Sequence, residues 1–202
     1  MSFNLPTKRL VVFACLPYPS GSTKTTQFSD QDLSLRELVF AAKNCRAVNY
    51  RVHEFAGRHG PAVLAECFAP MLPAWARGRI IVPMPTSEAL ASLSGTGPGA
   101  IAMEFAKSTD MPYVELLHRT EPVQKSSGGP AQERVTVARH METIGLDPAL
   151  LDGYRGSPIL LVDDAITRGT SSVACAELLR AHGFNDVAMV AGAYTLRSGD
   201  PG

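Results

Sequence analysis

The fold follows from Leu160-Leu161-Val162-Asp163-Asp164-Ala165-Ile166-Thr167-Arg168-Gly169-Thr170-Ser171-Ser172. This stretch completes an apolar run that starts at Pro158 and has the length and composition of a buried parallel strand. Two adjacent carboxylates and a loop of small residues come next, and the pattern after Thr170 predicts an amphipathic helix to about His182. A strand, a small-residue loop and a helix start, in that order, are typical of the place where an α/β sheet binds phosphate.

The side chains of this stretch are those that a sugar phosphate needs. Backbone N–H groups at the helix start and the hydroxyls of Thr167, Thr170 and Ser171 would donate to a phosphate. Asp163 and Asp164 come one step earlier, where carboxylates can accept hydrogen bonds from sugar hydroxyls. The stretch therefore predicts a site for a sugar diol and a phosphate together. Two alternatives stay open: a buried strand whose acids cap the helix, and a receiver-type acidic pocket.

Composition restricts the class of protein. The chain has 202 residues, of which 45% are hydrophobic and 19% charged, and this suits one domain with at most a modest extension. Lys+Arg and Asp+Glu each number 19, so the bulk charge favours neither nucleic-acid nor membrane binding. The four cysteines are widely separated, which argues against a disulfide framework and a structural zinc site. With no signal-like or membrane-spanning run in the sequence, we expect a cytoplasmic protein.

A second informative stretch is a short strand, Ile80 to Val82, that runs into Pro83-Met84-Pro85-Thr86-Ser87. Thr86, Ser87 and the neighbouring backbone N–H groups are candidate anion donors. The alternative is a strand that proline simply ends.

A third stretch, from His118 to Pro130, predicts a flexible lid. Gly128 and Gly129 give backbone freedom, and Lys125 and Arg119 give cationic reach. The alternative is a solvated loop that carries ordinary surface charges.

Strand and helix patterns alternate from Ile80 to Ala193, which predicts an α/β fold with a mostly parallel central sheet flanked by helices. We accordingly divide the chain into an N-terminal extension, residues 1–78, and a core, residues 79–202. Each of the three stretches ends in a loop at the carboxyl end of a strand, the edge where such sheets bind ligands. We therefore expect the three loops to converge on one crevice.

The surrounding elements are predicted from capping and turn signals. Ser34 and Glu37 have capping-box spacing, which predicts a helix over residues 35–44. Residues 94–99 are interpreted as a Gly-rich linker, residues 112–117 as a strand and residues 147–156 as a connector.

The stretch from Val162 to Ser171 resembles the phosphoribosyl pyrophosphate (PRPP) motif of type I phosphoribosyltransferases, with Arg168 in place of a usual threonine. The Val-Pro-x-Pro sequence from Val82 and the Lys-Ser-Ser segment at Lys125 are similar to the competence ComF-like group of that family. The resemblance implies a phosphoribosyltransferase-like core, with residues 1–78 as an extension that includes a hood over the site.

The resemblance also implies an activity: transfer of the 5-phosphoribosyl group of PRPP to a nitrogen acceptor, with Mg2+ as cofactor and release of pyrophosphate. Asp163 and Asp164 would hold the ribose diol and, through water or that diol, the metal; we expect both carboxylates to face solvent in the empty site. Lys125 and Arg119 would offset charge on the pyrophosphate together with the loop at Thr86 and Ser87. The residues implied for the 5′-phosphate are Thr167, Arg168, Gly169, Thr170 and Ser171.

Two other functions remain compatible with the sequence. One is a regulator that binds PRPP or a nucleotide on the same fold without catalysis. The other is a competence-related protein associated with nucleic acid, which the net charge of zero does not favour. We expect no membrane partner, and the sequence is compatible with a homodimer.

Overall fold

The computed structural model describes residues 10–19, 28–50, 52–124 and 135–196. Lys125 and the second part of the predicted lid, residues 125–130, lie outside these ranges. The strands are β1 (Val11–Pro19), β2 (Ile80–Pro83), β3 (Leu117–Arg119), β4 (Ile144–Leu146), β5 (Ile159–Ile166) and β6 (Val187–Leu196). The α-helices are α1 (Asp30–Lys43), α2 (Gly60–Phe68), α3 (Gly97–Thr109), α4 (Val137–Thr143), α5 (Pro148–Tyr154) and α6 (Thr170–Ala181). Short 3-10 helices lie at His53–Phe55, Ala69–Met71 and Ala74–Ala76.

The main sheet has four strands in the order β1-β6-β5-β2, and every neighbouring pair is parallel. β5 lies between β6 and β2, with Val162 opposite both Val190 and Pro83. The prediction of an α/β fold with a mostly parallel central sheet flanked by helices is confirmed. A separate antiparallel pair, β3 and β4, lies outside this sheet. β1, from the N-terminal segment, is hydrogen-bonded into the main sheet as an edge strand.

Each face of the sheet carries its own hydrophobic core, because successive side chains of a strand point to opposite faces. Leu160 and Val162 of β5 pack with residues of α1, α2 and α3, whereas Ile159 and Leu161 pack with residues of α6. This double burial explains why the first half of β5, Ile159 to Val162, is a continuous apolar run. None of the helices in the described ranges combines the length and the hydropathy that crossing a bilayer requires.

Helix α1 begins earlier than predicted. Ser29 and Asp32 form the capping box: the Asp32 N–H donates to Ser29 Oγ at 3.1 Å, and the Ser29 N–H donates to the Asp32 carboxylate at 3.0 Å. The prediction of a start at Leu35 was therefore wrong, because two pairs of residues have the same spacing. Glu37 instead accepts from Arg46 at 2.9 Å and so fixes the turn after the helix.

Two further element predictions were wrong. Residues 112–117 are not one strand: the segment bridges to Ile81 at Tyr113, then leaves that edge, and β3 pairs with β4. The predicted connector after Asp147 contains α5, which Asp147 caps by accepting from the Ala149 N–H at 2.8 Å. Pro148 suits the first turn of that helix, where no N–H is needed.

Candidate functional site

The loop predicted to bind an anion lies between β5 and α6. Asp163 and Asp164 are still within β5, and the chain leaves the strand after Ile166. Gly169, with a positive φ of 73°, turns the backbone into α6 at Thr170. The first N–H groups of a helix have no helical acceptor, and the dipole makes that end positive. The order of acids, loop and helix start predicted from the sequence is thus present.

The loop after β2 lies directly beside the loop after β5. The two strands are neighbours, and the Met84 N–H donates to the Val162 carbonyl at 2.9 Å just beyond their last pair. Thr86 and Ser87 follow at the carboxyl end of β2, which is the same end of the sheet as the loop after β5. Because parallel strands end at a common edge, two loops distant in sequence meet there.

One cavity of about 410 Å3 joins both loops. The predicted site residues that line it are Thr86, Ser87, Asp163, Asp164, Thr167, Gly169, Thr170 and Ser171. Arg168 is exposed and is not among the lining residues. The volume is in the range of small-molecule sites in proteins. The described part of the site therefore brings together the acid pair, the α6 loop and the β2 loop.

The acid pair is more enclosed than predicted. Asp164 is only 7% exposed and Asp163 is half-buried, so the expectation that both carboxylates face solvent was wrong. The Asp164 N–H donates to Asp163 Oδ1 at 2.8 Å, and Lys43 Nζ lies 3.9 Å from Asp164 Oδ2. Burial and the neighbouring Asp164 raise the pKa of Asp163, and burial also raises the pKa of Asp164. Two carboxylates in so little water resist carrying two full charges.

A further wall of the cavity comes from the N-terminal segment, in residues that the sequence analysis did not single out. Lys43, Asn44 and Cys45, at the end of α1, line the cavity. The end of α1 packs tightly on the start of α3: a Cβ added at Gly97 would lie 2.5 Å from the Lys43 carbonyl oxygen. A side chain at position 97 would therefore push away the backbone of Lys43, the residue that lies beside Asp164.

The Gly-rich segment before α3 is an ordered wall of the cavity, so its interpretation as a linker was wrong. Thr96 caps α3 by accepting from the Gly99 N–H at 3.2 Å. The Glu115 carboxylate accepts from the Leu93 N–H at 2.9 Å and from the Tyr113 hydroxyl at 2.8 Å. These contacts hold Leu93 against α3.

Ser172 is a further site residue that the sequence analysis missed. Its side chain is 1% exposed and lines the cavity, and its Oγ has no hydrogen-bond partner among the described residues. An unsatisfied buried hydroxyl is costly, and native proteins usually satisfy such groups. Its position in the first turn of α6, directly after Ser171, is the feature of the sequence from which Ser172 could have been predicted.

Arg119 is not the lid residue that the sequence predicted. It lies in β3, is 4% exposed and is absent from the cavity lining. Its Nε donates to the Thr86 carbonyl at 3.0 Å, and one terminal nitrogen donates to Thr143 Oγ1 at 2.8 Å. The other terminal nitrogen lies 3.3 Å from His140 Nδ1. Arg119 therefore contacts the β2 loop from inside the protein.

Acidification from about pH 7 to about pH 5 is expected to destabilise the protein through His140 by about 1 to 2 kcal/mol. Burial and the Arg119 cation lower the pKa of His140 to about 4, from an ordinary value of 6.5. Between about pH 4 and pH 6.5 the imidazole of His140 is protonated in the unfolded chain but not in the folded protein. The free energy of unfolding that this group contributes is therefore fully present above pH 6.5 and is lost as the pH falls. Thermal unfolding at both pH values would show a smaller loss in His140→Asn. The exposed-site control His53→Asn should lose as much stability as wild type; equal losses in all three proteins would contradict the expectation.

A Mg2+ ion fits the chemistry of the acid pair. The described residues contain no group of three His, Cys, Asp or Glu side chains arranged to hold a metal. Mg2+ commonly keeps several waters and takes one or two protein carboxylates together with ligand phosphates. Asp163 and Asp164 supply oxygen donors of this kind beside the loop that is predicted to bind an anion.

Comparisons with known proteins find only distant structural similarity. No protein-family model matches it, and no curated protein matches it. One similar solved structure is the allosteric regulatory enzyme of purine biosynthesis, with a TM-score of 0.49, 17% identity, and coverage of 78% of this chain and 30% of that chain. Another is the glutamine PRPP amidotransferase from B. subtilis complexed with ADP and GMP, with a TM-score of 0.43, 18% identity, and coverage of 68% and 28%. The chain thus spans less than a third of either protein, and likeness at this level assigns no activity.

Proposed function

We propose that this chain is a phosphoribosyltransferase that binds PRPP with Mg2+ and transfers the 5-phosphoribosyl group to a nitrogen acceptor. The observation that carries the proposal is the shared cavity: an enclosed acid pair and the open start of α6 line the same space. Ser172 adds a buried hydroxyl that the described residues leave unpartnered. A ligand with both a diol and a phosphate would satisfy these groups together.

Each part of the ligand has a group suited to it. The 5′-phosphate would lie at the start of α6, where free N–H groups and the hydroxyls of Thr170 and Ser172 border the cavity. The ribose diol would donate to Asp163 and Asp164. The pyrophosphate would extend toward Thr86 and Ser87, which border the same cavity.

The reaction requires charge stabilisation more than proton transfer. The acceptor nitrogen attacks the anomeric carbon while the bond from that carbon to the pyrophosphate oxygen breaks; its electron pair leaves with pyrophosphate, and nitrogen releases its proton. The acid pair would favour the positive charge that develops on the ribose, and the donors of the β2 loop would favour the negative charge on the leaving group. Mg2+, held by Asp163 and Asp164 through water or the diol, would supply further stabilisation of that leaving group.

The finer predictions about the chain remain proposals. We keep the division at residue 78, with the wall at Lys43 to Cys45 as the N-terminal contribution to the site. The ComF-like grouping, the cytoplasmic location and the homodimer also stay predictions. Lys125 stays a predicted pyrophosphate contact.

Pyrophosphate release from PRPP tests the proposal. Wild-type protein with Mg2+ and PRPP should release pyrophosphate when ammonia or another simple amine is added, and the Asp163→Asn/Asp164→Asn variant should not. PRPP binding without turnover across a panel of amines and nucleobases would indicate a regulator instead. Absence of PRPP binding by wild type would refute the proposal.

A further inference from the structure

Arg119 has an environment that is unusual for a buried charge. Its side chain is almost fully enclosed, yet within the described ranges its guanidinium meets the Thr86 carbonyl, a threonine hydroxyl and a histidine ring, and no carboxylate. Burial lowers the pKa of Arg119. Burying a cation among neutral acceptors is costly, and an apolar residue would fill the same space at lower cost. A charge that is buried at this cost in contact with the β2 loop indicates that Arg119 does more than fill space.

The bond from Arg119 fixes the orientation of one peptide unit in the β2 loop. In a trans peptide the carbonyl and the following N–H point in opposite directions. The Thr86 carbonyl points inward to Arg119 Nε at 3.0 Å, so the Ser87 N–H points outward, on the side where Thr86 and Ser87 border the cavity. Among the backbone hydrogen bonds of the described loops, none has that N–H as its donor.

A second contact holds the same loop from behind. The Val123 N–H donates to the Ser87 carbonyl at 2.8 Å, so two successive carbonyls of the loop accept hydrogen bonds from the protein itself. Thr143 orients Arg119 in turn, since its Oγ1 accepts from the guanidinium at 2.8 Å and donates to the Arg139 carbonyl at 2.9 Å. Carbonyl oxygens would repel an anion in the cavity, and this arrangement keeps them away from it.

We propose that Arg119 is a positioning residue that presents the Ser87 N–H to a diphosphate group in the cavity. The inference rests on the proposed function, because it assigns the β2 loop to the pyrophosphate part of the ligand. Arg119 itself does not touch the ligand. The positive charge of Arg119 also lies next to the Thr86–Ser87 peptide, and its electric field favours an anion that binds in the cavity beside that peptide.

Calorimetric titration with two probes separates positioning from general damage. Inorganic pyrophosphate with Mg2+ tests the β2 loop, and ribose 5-phosphate tests the acid pair and the start of α6. The variants are Arg119→Met, Arg119→Lys and Thr143→Val. Arg79 gives a control at the opposite end of the sheet: it too donates to backbone carbonyls, of Trp75 and Ile159, although it also pairs with the Asp186 carboxylate at 2.8 Å. Thermal unfolding checks that each protein is folded.

Arg119→Met is expected to weaken pyrophosphate binding by about ten-fold or more, because the peptide is no longer held. Arg119→Lys keeps the charge but not the planar fork, so its loss should be intermediate, and Thr143→Val should show a smaller loss of the same kind. Ribose 5-phosphate affinity should stay within about two-fold in all three variants. Arg79→Met should leave the binding of both probes unchanged.

The outcomes distinguish this inference from the proposed function. If wild type binds ribose 5-phosphate but not pyrophosphate, or if folded Arg119 variants bind pyrophosphate as wild type does, the positioning role is excluded and the sugar-phosphate site stands. Equal losses of affinity for both probes in the Arg119 variants would show that Arg119 has only a structural role. If wild type binds neither ribose 5-phosphate nor PRPP, the proposed function itself fails. Should Arg119→Met not fold, Arg119→Lys and Thr143→Val decide the question.

Discussion

The Asp163→Asn/Asp164→Asn variant is expected to bind PRPP at least about 100-fold more weakly than wild type in the presence of Mg2+. Asparagine keeps the shape of aspartate but removes the charge, so hydrogen bonds from the ribose diol lose their ionised acceptors, and the cation loses the anionic oxygens of both carboxylates. Calorimetric titration measures the difference. The exposed pair Asp152–Arg155 supplies the control: Asp152→Asn should bind PRPP as wild type does.

The same variant should be at least as stable as wild type near neutral pH. The two carboxylates are adjacent and enclosed, and their pKa values are raised, which means that folding works against their ionised forms. Removing both charges relieves that cost, although Lys43 loses its partner at 3.9 Å. Weaker binding in a stable protein would assign the pair to function. Unchanged binding would contradict the proposed role of the acids, whatever the stability.

Gly99→Ala is expected to reduce the free energy of unfolding by about 3 kcal/mol, a loss of roughly 6 to 12 °C in Tm. A Cβ at this position would lie 1.8 Å from the Leu93 carbonyl oxygen and 2.4 Å from its carbonyl carbon, so backbone must move. Leu93 is held in place by Glu115, which leaves little room for adjustment. Chemical and thermal unfolding measure the loss.

Gly95→Ala is the matched control in the same wall of the cavity. A Cβ there meets nothing within 4 Å, and its φ is not among the positive values. Its unfolding free energy should stay within about 0.5 kcal/mol of wild type. Equal stability of the two variants would show that the wall yields easily and that Gly99 is not needed for close packing.

The parts of the site that the sequence predicted are those encoded locally. The acids, the loop and the helix start are consecutive in the chain, and a buried strand followed by small residues has few other uses. The β2 loop could also be placed, because parallel strands end at one edge. Ser172 was missed although it belongs to the same turn of α6, since one serine among several gives no sign of which hydroxyl is buried.

The parts that could not be predicted depend on contacts between distant segments. Lys43 lies beside Asp164 at the point where the end of α1 packs on Gly97, and no local sequence pattern predicts that contact. Arg119 was predicted to be a cationic residue of the lid because it follows a strand pattern and lies in a polar stretch. In the structure β3 pairs with β4, and Arg119 is buried. The start of α1 was misplaced because Ser29 and Ser34 each precede an acid at capping-box spacing.

A crystal structure with bound ribose 5-phosphate is the measurement that tests the central claim most directly. The phosphate should accept from the N–H groups at the start of α6 and from Ser172 Oγ, and the ribose hydroxyls should donate to Asp163 and Asp164 in the same cavity. A ligand bound elsewhere, or a phosphate at the acid-pair end with the α6 loop empty, would contradict the account.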